Sequence, residues 1–168
     1  NDKFSYTTSV DTITSAYLLL KNRIEYPVFL DKGNKIKIKG DTINLNFLTI
    51  SGNIYNEEFT DFQKALEDPA DPSEKAGEET VDKRITVEKA NTAEEMAEEF
   101  ILQHHSSYVS LYLLDKYFVQ KDTPDFSKIK KLVEVMTGVL QDKPYIERLN
   151  ETITQAEKSE IGKYAPFF

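Results

Sequence analysis

Hydrophobic side chains recur in two rhythms along this chain, and the change of rhythm constrains its fold more than any other feature. Up to residue 50 they tend to alternate with polar residues. From residue 92 they return every three or four positions. A period of two belongs to a strand with one covered face, and a period near 3.6 to a helix. A chain that runs through the first and then the second is α+β, with strands first and helices after.

The strand half is rich in short candidates. Phe4–Val10 combines aromatic and β-branched residues, and Ala16–Leu20 is an apolar run long enough for one buried strand. Glu25–Leu30 is another, with Pro27 suiting a strand start or an edge because it has no N–H to donate. Asp31-Lys32-Gly33-Asn34 reads as a turn. Lys35–Lys39 alternates strictly, with Ile36 and Ile38 inward and three lysines outward. Ile43–Phe47 alternates again and runs into Leu48-Thr49-Ile50. Five short strands separated by turns predict an antiparallel sheet, half of a sandwich.

Residues 56–99 change character. They hold fifteen carboxylates and five cationic side chains, more than the whole net charge of −8. Asn56–Leu66 reads as a short helix with Phe59, Phe62 and Leu66 on one face. Asp68–Gly77, with two Asp-Pro steps, reads as an acidic loop. Thr92–Glu95 is a capping-box pattern that predicts a helix start. A break at His104–Ser107 predicts a serine-capped helix over about 108–120. Thr123-Pro124 predicts a restart with the proline at the first helical position, and Ile129, Leu132, Val133, Met136 and Leu140 then share a face. Lys143-Pro144 predicts another restart carrying Tyr145, Leu149, Ile153 and Ala156, with Gly162 as terminator. The expected architecture is an N-terminal antiparallel β-sheet followed by about four short antiparallel helices. Its parts are a sheet over 1–55, a short helix and acidic loop over 56–91, and helices packed on the sheet over 92–162.

Composition excludes several function classes. The chain has no cysteine, so it holds no disulfide, thiolate metal ligand or thiol nucleophile of its own. Its acidity disfavours nucleic acid and anionic membrane surfaces as partners. No apolar run is long enough to span a bilayer. Glycine-rich phosphate loops, HExxH zinc spacing and nucleophile elbows are all missing from the sequence.

Five constellations could carry function. His104 and His105 are adjacent, so on a helix they point about 100° apart and do not chelate together. Asp68, Asp71 and Glu74 could bind calcium weakly, yet they lack the ligand ladder and central glycine of a calcium loop. Glu94, Glu95, Glu98 and Glu99 could supply paired carboxylates for hydrolysis or simply form an exposed helix face. Tyr108, Tyr112 and Tyr117 could form an aromatic ridge that stacks a sugar or docks a peptide, or could pack within the chain. The Lys35, Lys37 and Lys39 row could meet an acidic partner or guard a strand edge. These residues point to no catalytic group, cofactor or metal. Tyr108, Tyr112 and Tyr117 stand as candidate partner-binding residues.

Three stretches also resemble a known family. Tyr26–Asp41, followed by Ile50-Ser51-Gly52-Asn53-Ile54-Tyr55-Asn56-Glu57, is similar to the "ypfFLenG-kikI-Gd … i-tGs-xx-N" pattern of the domain preceding the thioredoxin-like domain in TlpA/ResA-like thiol–disulfide oxidoreductases of Gram-negative envelopes. Glu99-Phe100-Ile101 and Ser107–Tyr117 resemble that family's "eFI … s-vSlyLL-kY" helices. Ile161–Phe168 resembles the "iGk-xAPdF" phrase that opens the thioredoxin-like domain. The resemblance implies a non-catalytic accessory domain, with 163–168 as a linker and the CxxC beyond Phe168. It also implies a periplasmic or outer-envelope location and an upstream lipid anchor as the tie to the membrane. The implied partners are the thioredoxin-like domain of the same polypeptide, substrate proteins or a second copy. The alternative is a stand-alone envelope protein that binds a glycan or peptide.

Overall fold

The computed structural model describes residues 4–20, 24–40, 47–67, 83–140 and 143–159. Two small antiparallel sheets are followed by five helices, the α+β order that the change of rhythm predicts. The chain divides into two compact units, Asn1–Ala70 and Asp71–Phe168.

In the first unit, β1 (Thr14–Leu19) pairs with β2 (Glu25–Leu30), and β3 (Lys37–Gly40) with β4 (Leu48–Ser51). The predicted single sheet is thus two separate two-stranded ladders. The strand expected over Phe4–Val10 is absent: this stretch is irregular, with Phe4 and Tyr6 exposed. Strand composition without a pairing partner does not make a strand. The buried strand expected at Ala16–Leu20 is β1, but only one of its faces is partly covered: Ala16 and Leu18 are half-buried, and Tyr17 and Leu19, on the other face, are exposed. Of the alternating stretch at Ile43–Phe47, residues 43–46 lie outside the described residues, and β4 starts at Leu48.

Helix α1 (Ile54–Glu67) joins the two ladders through side chains that take the place of a neighbouring strand. The buried Asn56 carboxamide accepts from Phe29 N (2.9 Å) and donates to Phe29 O (2.7 Å). One turn on, the Thr60 hydroxyl bonds both Ile50 N and Ile50 O at 3.1 Å. Asn56 therefore completes β2 and Thr60 completes β4. The Tyr26 hydroxyl adds a third tie, donating to Leu48 O and accepting from Leu48 N. Burial pushes this hydroxyl up to about 12, although the hydrogen bond to Leu48 acts the other way. Around these bonds Tyr26, Phe29, Phe59 and Phe62 form the aromatic core, with Phe59 edge-on to both Tyr26 and Phe29.

Pro27 sits in mid-strand opposite Tyr17. Phe29, of the same parity, turns its N–H and C=O outward to α1, so the Pro27 nitrogen faces away from β1 and no ladder bond is lost. The Asp31–Asn34 turn forms as predicted, closed by Asn34 N–H to Asp31 O at 3.2 Å. Gly52 enters α1 at φ +114°, and a Cβ there would stand 2.2 Å from Lys35 O. Only glycine fits.

The second unit is helical: α2 (Lys83–Gln103), α3 (Tyr108–Leu114), α4 (Phe126–Val135) and α5 (Pro144–Ser159). Helix α2 begins nine residues before the capping pattern at Thr92, which lies inside it. Ser107 caps α3 by accepting from Val109 N, as its position predicts. Asp125 caps α4 by accepting from Lys128 N at 3.0 Å, so Pro124 precedes the cap and is not the first helical residue. Pro144 does open α5. The predicted face from Ile129 to Leu140 is buried throughout, but α4 stops at Val135 and Leu140 arrives on a separate tight turn, Gly138–Leu140. Val109, Leu113, Leu114, Phe118, Ile129, Met136 and Leu140 form the centre of this core. The acidic loop at 68–77, with Asp68, Asp71 and Glu74, the linker at 163–168 and the terminator Gly162 lie outside the described residues.

Candidate functional site

Helix α3 does not end in the ordinary way. Past Leu114 the chain widens into a π-helical turn over Asp115–Val119, and Gln120 N–H reaches back five residues to Asp115 O at 2.9 Å. Such turns are rare and collect at functional sites, because the extra residue re-aims the side chains around it. Within it Lys116 lies beside two rings. Lys116 Nζ stands 5.7 Å from the Tyr112 ring centre and 5.3 Å from that of Tyr117.

Two polar clusters flank this turn. On one side the Asp115 carboxylate accepts from the Tyr145 hydroxyl of α5 at 2.5 Å and from the Gln120 carboxamide. Burial first, and then the Asp115 hydrogen bond and charge, raise the Tyr145 hydroxyl far above its ordinary value. It stays a neutral donor. On the other side Lys128 bridges Glu98 at 2.8 Å and Glu94 at 3.5 Å, while Lys121 also pairs with Glu94. Burial works against charge on Glu94, but Lys121 and Lys128 outweigh it and hold the carboxyl below its usual range. The Glu98 hydrogen bond, aided by the charges of Glu98 and Glu94, raises Lys128. Lys128 also lies 5.2 Å from the centre of the buried Phe118 ring.

The three candidate tyrosines do not share one environment. Tyr112 and Tyr117 are half-buried and meet at Lys116. Tyr108 is buried, 8% exposed, and its ring is approached instead by Lys143 at 5.2 Å. The surface pair at this place is therefore Tyr112 and Tyr117. Lys116 is the residue that sequence reasoning missed, although its place four residues after Tyr112 and next to Tyr117 is a local signal. Asp115 and Tyr145 were missed as a pair because thirty residues separate them.

The other constellations resolve into separate contacts. His104 stacks on Phe100, centroids 4.1 Å apart, while His105 Nδ1 is 2.8 Å from the Thr137 hydroxyl. The two imidazoles serve different neighbours. Glu94 and Glu98 are taken up by Lys121 and Lys128, and Glu99 accepts from Gln103 at 3.0 Å. A carboxyl held ionised like Glu94 is no proton donor near neutral pH. Lys35, Lys37 and Lys39 are exposed, the last two on β3. Among the described residues no group of three or more His, Cys, Asp or Glu could hold a metal ion, and no helix is long and apolar enough to cross a membrane.

Residues 1–59 match the family model of a domain of unknown function (DUF4369). The match covers β1 to β4 and the first turns of α1, so it takes in the side chain of Asn56 and stops just before Thr60. The π-helical turn and its tyrosines lie outside it. No curated protein and no solved structure matches the chain.

Proposed function

We propose that this chain is a non-catalytic accessory or interaction domain of a periplasmic thiol–disulfide oxidoreductase, which positions the redox domain or recognises partner proteins. The observation that carries this reading is the ordered set of motifs from Tyr26 to Pro166. The match of residues 1–59 to DUF4369 agrees with it at the coarser level of a domain of unknown function. The chemistry of the chain is consistent with a supporting role. Without cysteine it performs no thiol exchange itself, and its best-placed acids and bases, Glu94, Lys128, Asp115 and Tyr145, are spent on one another.

The test is to express the chain together with whatever coding sequence follows it and to assay insulin reduction with dithiothreitol as electron donor. A downstream CxxC segment whose activity or substrate choice changes when this chain is deleted supports the proposal. A downstream frame without such a segment removes it. A second reading is favoured by the grouping of Tyr112, Lys116 and Tyr117: a stand-alone envelope protein that binds a glycan or peptide at these rings. It expects a rise in melting temperature with one member of a glycan and peptide panel, abolished by Tyr112→Ala and Tyr117→Ala.

A further inference from the structure

Lys116 has an unusual setting for a lysine on so acidic a chain. It makes no salt bridge among the described residues, as Lys37, Lys39 and Lys143 make none, but two aromatic rings lie at its amine. Its neighbour Asp115 faces the other way in function, accepting from Tyr145 and Gln120. The side chain reaches solvent, yet the rings of Tyr112 and Tyr117 crowd its amine from two sides. A ring face attracts a cation but accepts no ordinary hydrogen bond, so each ring displaces water that would otherwise solvate the ammonium.

We propose that small acyl donors of the acyl-phosphate class modify Lys116 ahead of the exposed strand lysines Lys37 and Lys39. Two rings at the amine of an exposed side chain are what select it. Desolvation also pushes its proton affinity down, and loss of the proton exposes the nucleophilic lone pair. Burial raises the Tyr117 hydroxyl, so that ring stays neutral and adds no anion that would hold the proton on Lys116.

In the step itself the neutral amine adds to the acyl carbonyl. A C–N bond forms, the C–O bond to phosphate breaks, and its electron pair leaves with the phosphate. The amine proton passes to phosphate or water. The product is an amide with no charge, so the cation that holds Tyr112 and Tyr117 together is lost and the chain becomes one unit more acidic. This inference is independent of the accessory-domain reading.

The full folded chain is treated with limiting acetyl phosphate near pH 8, and initial acetylation rates are read for each lysine by peptide mass spectrometry. Lys116 is expected to react about fivefold faster than the exposed strand residues Lys37 and Lys39. The advantage should disappear in urea and shrink in Tyr112→Ala and Tyr117→Ala, with Lys37 and Lys39 as internal standards. Lys116 reacting no faster than those standards in the folded chain overturns the proposal. So does an advantage that survives in urea, because local sequence would then account for it. An advantage unchanged in folded tyrosine variants also overturns it, since the rings would not be its cause. If either variant does not fold, the folded-against-urea comparison of the parent chain decides alone.

Discussion

Asn56 on α1 stands in for a β-strand beside Phe29: one carboxamide meets both the N–H and the C=O of that residue, at 2.9 and 2.7 Å. The match is two-sided, so no other side chain of similar size replaces it. Asn56→Ala should lower the stability of the first unit by about 1–3 kcal/mol, because it takes the carboxamide acceptor from the Phe29 N–H, while Phe29 O keeps the Asn53 carboxamide at 2.8 Å. Asn56→Asp keeps the acceptors and loses the donor, and should also destabilise. Urea unfolding followed by circular dichroism checks both, and a loss under about 0.5 kcal/mol for the alanine variant would sink the strand-mimic account.

Gly52 and Gly33 separate two reasons for a glycine. Both have positive φ, +114° and +78°, but a Cβ on Gly52 would strike the Lys35 carbonyl at 2.2 Å while one on Gly33 meets nothing within 4 Å. Gly52→Ala should cost about 3 kcal/mol and Gly33→Ala about 1 kcal/mol. Equal losses in thermal unfolding would mean that the close approach to Lys35 contributes nothing.

The Tyr145–Asp115 contact predicts an alkaline effect. Folding raises the Tyr145 hydroxyl, so the folded state keeps its proton after the unfolded state has begun to lose it. The contribution is therefore complete below the unfolded value of about 10 and declines as pH rises beyond it. Tyr145→Phe should cost about 1–2 kcal/mol at pH 7. The gap between parent and variant should narrow above pH 10, which denaturant midpoints at pH 7, 9.5 and 10.5 would reveal. A constant gap would contradict the hydrogen bond.

The Glu94 cluster predicts an acid effect of opposite sign. Folding lowers Glu94, so its contribution is complete above the unfolded value of about 4.3 and is lost as pH falls through the folded one. The groups are partly exposed, so Glu94→Gln should cost only about 0.5–1 kcal/mol at pH 7, and less in 1 M salt. The two proteins should converge once pH falls below the folded value, where Glu94 is protonated in both states. Persistence of the difference at that pH would show that packing, not charge, was removed.

Local chemistry made much of this fold readable. Ser107 caps α3 and Pro144 opens α5 because a cap needs only a side chain and the next turn of its own backbone. The Asp31–Asn34 turn is equally local, and the alternation around Ile38 marks β3 for the same reason. Errors arose where a distant partner decides. Phe4–Val10 has strand composition but no pairing among the described residues, whereas Pro27 does lie on an edge strand, as its missing N–H predicts. The capping pattern at Thr92 is overridden by a helix that already runs through it from Lys83.

The candidate site was legible by half. Tyr112 and Tyr117 could be picked out as aromatics on a helical stretch, but their spacing of five places them together only in a widened turn. Lys116 was readable from its i+4 spacing to Tyr112, but Tyr145 on Asp115 thirty residues away could not be found by pattern. The amino-acid order alone determined the α+β succession, the caps, the turns and the lack of thiol chemistry, since each depends on residue type and near neighbours. Tertiary structure decided which strands pair, which tyrosine is buried, and which charges meet. Those outcomes depend on desolvation and on contacts between groups far apart in the chain, and no local stretch of sequence contains them.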